Sequence, residues 1–317
     1  MATQPVRNFR YDINALRGWA VIAVMLFHFD LPGFGGGFVG VDVFFVISGL
    51  LMTSIIVRGL SSGEGTHGFS LIGFYYARAK RILPALIVLC AILLGVGWFT
   101  LASTDYRELG SHSALSLAFL SNMKYWLEAG YFDAASHEKW LLHTWSLSVE
   151  WQFYLVLPLF LMVVWRFFPG RRNARYALLA AFAASLLMSV VLTPGHPSTS
   201  FYFFPIRAWE MLAGGLCHLF AAELALDARQ ARLAEWLGYG LILASIFTLD
   251  ATDAWPSYLA LLPVSGALLV LIANRQQSFL SRLRLTQRMG LWSYSVYLWH
   301  WPMVVALVYL EREDEPV

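Results

Sequence analysis

Nine long apolar stretches dominate this sequence and limit the folds that are open to it. Each holds roughly 20 mostly uncharged residues, the length that an α-helix needs to cross a bilayer. Of the 317 residues, 58% are hydrophobic and 13% are charged, whereas soluble domains carry about 25% charged residues. One soluble core cannot bury so much apolar surface, so a soluble globule, a disordered chain and a disulfide scaffold are excluded. The stretches are 13–31, 38–57, 83–102, 144–166, 176–193, 206–224, 233–250, 256–274 and 290–310.

The charges between these stretches predict how the helices are oriented. If the N-terminus is cytoplasmic, the loops on that side are rich in arginine and lysine, and the outer loops are rich in aspartate and glutamate. This asymmetry follows the positive-inside rule. We therefore expect an all-α integral membrane protein, a polytopic bundle of about nine transmembrane helices with a cytoplasmic N-terminus.

One further segment, residues 111–127, is apolar enough to be considered as a span. If it crossed the membrane, Arg171, Arg172 and Arg175 would face outward, against the bias of the other loops. We therefore expect an outer, interfacial or re-entrant helix within a long external segment, 103–143.

The first span carries two ionisable residues on one face. Arg17 and His28 are eleven residues apart. On an α-helix, this spacing places the two side chains within about 20° of each other around the axis and roughly 16 Å apart along it. Ionisable groups at membrane depth are costly and often functional. A snorkelling arginine and a hydrogen-bonded histidine would explain the pair equally well. Asp42 opens the second span, where an acid can simply satisfy free N–H groups of the first turn.

The fourth span contains the most specific local pattern. His143, Ser146, Glu150 and Tyr154 follow at steps of three, four and four, which places them on one helix face. Glu150 would lie roughly two turns below the outer surface, where a buried carboxylate needs a partner. A purely structural network is the alternative. By depth, the candidate partners are His28, Asp42 and Arg207.

Two later spans carry further polar residues. Arg207 and Glu210 are three residues apart and are expected to pair locally, which favours a role in holding helices together. In the last span, a polar face precedes a proline that should kink the helix, and its histidine is expected near the middle of the bilayer. The residues of that face are Ser293, Tyr297 and His300.

A basic cluster precedes the third span. Arg78, Lys80 and Arg81 would lie at the cytoplasmic mouth of the bundle. The positive-inside bias alone can explain each of them. Such clusters are also good binding sites for phosphate groups.

Six motifs occur in order along nearly the whole chain: MLFHF with Arg17 ahead of it, GGFVGVDVFFVISGLLM, FYYARAKRILPAL, HTWSLSVEWQFYL, FPIRAWEMLAGGL and GLWSYSVYLWHWP. Together they resemble the membrane acyltransferase family 3, the O-acetyltransferases that modify bacterial cell-surface sugars. The resemblance implies a multi-pass protein of the bacterial cytoplasmic (inner) membrane. It implies acetyl-CoA or another acyl-CoA as donor substrate, with no bound cofactor and no metal. The implied acceptor is a cell-surface glycan such as lipopolysaccharide O-antigen, peptidoglycan or exopolysaccharide, with no nucleic acid partner.

The resemblance also implies roles for particular residues. Arg17 and His28 would be essential, and Glu150 and the Arg78/Arg81 pair would contribute, with Lys80 beside them at the acyl-CoA phosphates. His28 would act either as a general base or as an acyl-carrying nucleophile. Asp42 or Glu150 would orient its ring, and Arg207 or an N–H of the glycine turn at 33–37 would stabilise the oxyanion.

This sequence departs from the family pattern at two places. Trp151 stands where many members have a second glutamate, so a carboxylate pair is not formed there. The chain ends after nine spans, where the family usually has at least ten, and an acidic tail takes the place of the closing helix. We expect a single transmembrane acyltransferase domain over 1–317 that lacks its last helix or helices and any C-terminal SGNH domain. A periplasmic SGNH domain or partner is left open.

Two other classes of function are compatible with polar residues inside spans. A transporter or flippase of a polysaccharide precursor or of an acyl group, without covalent catalysis, would also carry them, although no inverted repeat is evident in the sequence. A haem carrier would use His28 and His300 as two ligands. Their expected depths differ, one outer and one central, which argues against a shared iron.

Overall fold

The computed structural model describes residues 9–62, 68–129, 138–221 and 223–313. Every regular element within these residues is helical, as expected for the all-α class. Of the predicted acidic tail, residues 311–313 belong to the last helix, and residues 314–317 lie outside the described residues. The helices are α1 Tyr11–His28, α2 Gly40–Ser61, α3 Leu71–Thr100, α4 Ser103–Leu117, α5 Ser121–Glu128, α6 Thr144–Phe167, α7 Arg171–Leu192, α8 Pro197–Tyr202, α9 Phe204–Phe220, α10 Ala228–Thr248, α11 Leu261–Ala273, α12 Phe279–Arg282 and α13 Arg284–Glu313.

Each of the nine apolar stretches coincides with one helix: α1, α2, α3, α6, α7, α9, α10, α11 and α13. The class of helical membrane protein is therefore confirmed. By length and composition, four helical segments of the described chain could cross a membrane on their own: Gly37–Ser61, Leu71–Thr100, Thr144–Phe167 and Arg171–Leu192. The number of spans and the side of the N-terminus stay predictions.

Glycines allow the central helices to approach one another closely. The backbone of α1 at Gly18 meets the carbonyl of Thr286 on α13, and Gly290 on α13 meets the carbonyl of Asn14. A side chain at either glycine would collide with the facing backbone. Small residues are a common means of packing helices in membranes. This contact fixes the register of α1 against α13, and both helices run in the same direction.

The helix ends form two chemically different ends of the bundle. Arginines cluster where α1, α3, α7 and α13 begin, and two arginines at this end of the bundle bind neighbouring helices. Arg175 donates to the carbonyl of Leu219 at 2.8 Å, and Arg275 pairs with the Glu235 carboxylate at 2.5 Å. We call this the basic end, and we call the opposite end the His28 end because α1 stops there at His28.

The segment after α3 returns to the His28 end without crossing the bundle. Helix α4 packs along α3, the chain reverses at Phe119, and α5 packs against α6. At the turn, the Ser121 hydroxyl lies 2.7 Å from that of Ser148. At the other end of α5, Glu128 meets His112 of α4 at 3.1 Å. The segment thus forms a hairpin of two helices beside α3 and α6, and its place as an outer, interfacial or re-entrant helix stays a prediction.

Glu128 closes this helical hairpin. Its carboxylate lies 2.9 Å from Lys124 and 3.5 Å from Lys139, in addition to His112. Burial favours the neutral acid, but the hydrogen bonds from Lys124 and His112 outweigh it and lower the pKa of Glu128. The carboxylate is therefore charged at neutral pH and ties α4, α5 and the start of the next segment together.

Candidate active site

Helices α1 and α13 bring the two polar faces predicted from the sequence into contact. The Arg17 guanidinium donates to the Ser293 hydroxyl, with 2.7 Å from Nη2 and 3.1 Å from Nε. Eleven residues further along α1, the Nδ1 of His28 lies 3.0 Å from the Nε2 of His300. The shared face of Arg17 and His28 is thus confirmed, and it is directed at α13.

A narrow cavity of about 100 Å³ lies on the basic side of this face. We call it the inner cavity. Three arginines and one carboxylate line it together with apolar and aromatic side chains; the four charged residues are Arg17, Arg78, Arg81 and Glu150. If all four are ionised, the cavity carries an excess of positive charge, which suits an anionic ligand.

Lys80 does not line the inner cavity, contrary to its predicted role beside Arg78 and Arg81. Its side chain is exposed on another face of α3. Residues three apart on a helix lie about 60° apart, whereas residues two apart lie about 160° apart. Helical geometry therefore separates Lys80 from Arg78 and places Arg81 with it.

Glu150 also lies in the inner cavity, and this placement corrects the prediction that it works beside His28. It accepts hydrogen bonds from Ser48 and from Tyr154, the latter at 2.5 Å. His28 is the last residue of α1, whereas Glu150 lies about two turns inside α6. The prediction was wrong because it set the depth of His28 from a span that extended to residue 31.

A wider cavity of about 640 Å³ lies at the His28 end. We call it the outer cavity. Buried His143, Asp42 and Arg207 and the half-buried His28 contribute polar groups to its wall. Much of the remaining lining is aromatic, and such rings can pack on the apolar faces of a sugar. These residues are Phe27, Phe38, Trp145, Phe201, Tyr202, Trp255, Tyr297 and Trp301.

His300 lies level with His28, contrary to its expected place near the bilayer middle. Its Nδ1 is 2.7 Å from the carbonyl of Tyr297, and its ring centre is 5.8 Å from that of His143. The prediction was wrong because α13 is 30 residues long, so the centre of an apolar stretch does not mark its depth. The depth argument against the haem hypothesis is lost. The two axial histidines of one haem iron bind on opposite faces of the iron, with their nitrogens about 4 Å apart, whereas these two nitrogens lie 3.0 Å apart.

A buried ion cluster lines the wall between α2 and α9. Arg207 lies 2.9 Å from Asp42 and 3.3 Å from Glu210, and none of the three is more than 1% exposed. The predicted local pair of Arg207 and Glu210 is confirmed. Asp42 contacts Arg207, so the structure does not support it as the group that orients His28. Arg207 Nη1 has no hydrogen-bond partner among the described residues, which keeps its predicted oxyanion role as a prediction.

The glycine turn offers fewer N–H groups than expected. The N–H of Gly36 donates to the carbonyl of Ile246 at 3.0 Å, and that of Gly37 donates to Phe34 at 2.9 Å. The first bond holds the turn against α10, and the second closes the turn itself. Neither is placed to stabilise an oxyanion.

Two residues form the partition between the cavities. Val41 and Tyr297 line both of them. The Tyr297 hydroxyl lies 2.7 Å from that of Ser146 and donates to the carbonyl of His143 at 3.0 Å, which ties α13 to the polar face of α6. Val41 and Ser48 were not predicted from the sequence as site residues. For Ser48, a hydroxyl within an apolar run was the available signal; for Val41 there was none.

Comparison with known proteins places this geometry in a family. A family model described as an acyltransferase domain matches residues 10–313. A protein of Komagataeibacter xylinus named as the membrane-bound transacylase BcsY is 33% identical, over 96% of this chain and 75% of its own length. The peptidoglycan O-acetyltransferases named YrhL in Bacillus subtilis and OatA in Listeria monocytogenes are each 28% identical. They are matched over 98% and 95% of this chain.

The chain spans only about half of the length of these last two relatives, 51% of YrhL and 50% of OatA. No solved structure gives a significant match.

Proposed function

This chain belongs to the membrane acyltransferase family 3 and is an acyltransferase, and from that premise we propose that it carries an acyl group across the membrane. The donor is a cytoplasmic acyl-CoA, with acetyl as the transferred group. The acceptor is a hydroxyl of a cell-surface glycan on the other side of the inner membrane. The observation that carries this proposal is the pair of cavities that meet at Val41 and Tyr297.

The inner cavity has the chemistry that a CoA donor needs. Arg78 and Arg81 supply guanidinium groups, which bind phosphate oxygens through charge-assisted hydrogen bonds. Arg17 lies further along the path, held by Ser293. From Arg17 to His28 the distance along α1 is about 16 Å, a length that suits a thin pantetheine arm. The donor thioester would then reach the partition while the phosphates stay at the basic end.

The outer cavity has the chemistry that a glycan acceptor needs. It is wide enough for sugar rings, and its aromatic side chains are accompanied by several acids and by Arg207. Two of the relatives are named as peptidoglycan O-acetyltransferases. Peptidoglycan fragments are therefore the first acceptor to test.

In this proposal, His28 moves the proton. In the proposed step, Nε2 of His28 takes the proton of the acceptor hydroxyl while the hydroxyl oxygen attacks the thioester carbon. The carbon–sulfur bond then breaks, and the CoA sulfur leaves with the proton that His28 took. The products are an O-acyl sugar and free CoA, and the histidine returns to its first state.

The test uses purified protein in phospholipid vesicles with radiolabelled acetyl-CoA and soluble peptidoglycan fragments. We expect label to appear on the glycan as an ester that mild alkali releases. His28→Gln should abolish the ester while the vesicles still bind CoA, because the amide cannot take the proton.

Outcomes of this test separate the proposal from its alternative. Label that crosses the vesicle membrane without forming a covalent bond to glycan would instead support a transporter. An undiminished ester yield from His28→Gln would refute the role of the histidine. As a matched control, His196→Gln changes an exposed histidine that lines neither cavity and should transfer label normally.

A further inference from the structure

The hydrogen bonds of His300 determine which of its ring nitrogens carries a proton. A backbone carbonyl only accepts hydrogen bonds, so the His300 Nδ1 that lies 2.7 Å from the Tyr297 carbonyl must carry a hydrogen. Burial disfavours a second proton on this ring, because His300 is 2% exposed and a buried cation is costly. In the neutral ring, the remaining nitrogen, Nε2, therefore holds a lone pair and accepts.

The same reasoning continues to His28. Its Nδ1 lies 3.0 Å from the accepting Nε2 of His300, so this Nδ1 must carry the hydrogen and donate. The neutral His28 ring then has its lone pair on Nε2. His28 lines the outer cavity, so its basic nitrogen belongs to the side where the acceptor is expected.

We propose that His300 is a positioning residue that fixes the tautomer of His28 and keeps its Nε2 basic. A chain of hydrogen bonds runs from the Tyr297 carbonyl through His300 to His28. It takes the place of the acid that orients the histidine in a catalytic triad. When His28 Nε2 takes a proton, the imidazolium formed keeps its Nδ1–H bond to His300. His300 itself touches no reacting atom.

With His300 in this role, neither of the two carboxylates that the sequence predicted beside His28 is needed there, and both are engaged elsewhere. Glu150 is held by Ser48 and Tyr154, and Asp42 is paired with Arg207. A second neutral histidine can orient the first without adding charge to the buried site. The price of a buried ion is thereby avoided at this position.

The test observes the tautomer directly. We propose to label histidine ring nitrogens with nitrogen-15 in the full-length protein and to record their magnetic resonance shifts at about pH 8, where an unperturbed histidine is neutral. The signals of His28 are assigned by their loss in His28→Gln. We expect a protonated Nδ1 and an unprotonated Nε2 in the wild type. A wild-type His28 protonated at Nε2 would overturn the proposal without any variant of His300.

Two variants of His300 extend the test. His300→Gln keeps a carbonyl acceptor near the position of Nε2 and should retain the His28 tautomer. His300→Leu removes the acceptor, so we expect Nε2-protonated His28 to appear. If His300→Leu is folded and keeps the wild-type tautomer, the proposal is wrong.

The expected effect of the His300 variants on turnover rests on the proposed function. The proposed function and the positioning role of His300 can be refuted separately. Turnover should fall about 10²-fold in His300→Leu and markedly less in His300→Gln, since a mispositioned base loses much of its catalytic effect. A protein that shows the expected tautomers but never acylates a glycan would refute the function alone. Normal transfer with an unchanged tautomer in His300→Leu would refute the positioning role alone. Met303→Leu, on the exposed face of α13, serves as the folding control.

Discussion

Three basic residues in one short stretch of α3 differ in what their side chains can reach. Arg78 and Arg81 line the inner cavity, where Arg78 also packs on the Phe74 ring at 5.8 Å. Lys80 lies between them in the sequence and is exposed on another face. If only the cytoplasmic charge bias matters, the three residues are equivalent. If the cluster is a phosphate site, Arg78 and Arg81 contribute to binding and Lys80 does not. The difference between them therefore tests whether this cluster binds a ligand.

We predict that Arg81→Gln weakens CoA binding by about tenfold or more, whereas Lys80→Gln leaves it close to that of the wild type. A hydrogen bond to a charged group contributes about 1.5–3 kcal/mol, and about 1.4 kcal/mol corresponds to tenfold in affinity. Titration of purified protein with CoA at low and moderate salt measures both. Equal losses from the two variants would mean that only the general charge of this end matters.

Much of this residue-scale picture could be predicted from helical spacing alone. Arg17 with His28, and Ser293 with His300, were each placed on one face before the contacts between them were known. The spacing of residues within one helix cannot predict how far two helices are shifted along their axes relative to each other. This shift depends on Gly18 and Gly290, which let α1 and α13 approach in one register. No sequence feature near His28 or His300 predicts it.

At the scale of helices, close backbone packing sets the frame of the outer cavity. Helices α2 and α9 meet through glycines on both sides. A Cβ added at Gly49 would lie 1.7 Å from the carbonyl oxygen of Met211, and one at Gly214 would lie 1.9 Å from that of Val46. The same helix pair carries the ions Asp42 and Arg207. Their contact distance therefore depends on the glycines about two turns away on each helix.

We predict that Gly49→Ala destabilises the protein by about 1–3 kcal/mol, the usual cost of adding atoms to a well-packed interior. Gly240→Ala is the matched control, since this glycine also lies inside a helix but has open space around its Cα. It should be neutral or stabilising by up to about 1 kcal/mol, because alanine loses less backbone entropy. Thermal unfolding in one detergent compares the two. A stable Gly49→Ala protein would show that the two helices can separate without cost.

The length of the apolar stretches predicted the positions of the long helices. Hydropathy did not predict that the segment 103–128 comes back to the end of the bundle from which it starts. Only the charge at 171–175 argued that this segment stays on one side. The structure shows why it can: Ser121 bonds to Ser148 at the turn, and the amide of Asn122 donates to the carbonyl of Tyr202 at 3.0 Å. Backbone that leaves a helix at this depth is tolerated because neighbouring helices cover it.

At the scale of the molecule, the two cavities follow one another from the basic end to the His28 end and share Val41 and Tyr297 in their walls. The proposed acyl transfer needs a passage between them that admits a thin arm and excludes ions and bulk water. Val41 and Tyr297 are the residues at which both requirements meet. Tyr297 is held by Ser146 and by the carbonyl of His143, whereas Val41 contributes only bulk at the first turn of α2. The size of residue 41 can therefore be changed without removing a hydrogen bond.

We predict that Val41→Trp blocks transfer while leaving CoA binding intact. An indole at the partition would stop the thioester about one side chain short of His28, and misplacing reactants by such a distance costs about 10²-fold in rate or more. The affinity for CoA should stay close to that of the wild type, because Arg78 and Arg81 lie nearer the basic end. Binding of CoA also verifies that the variant is folded. Val41→Ala, which only enlarges the passage, should bind CoA and transfer label at a rate close to that of the wild type. If Val41→Trp binds CoA and acylates the acceptor at the normal rate, the donor does not pass between these two residues, and the two cavities do not form one reaction path.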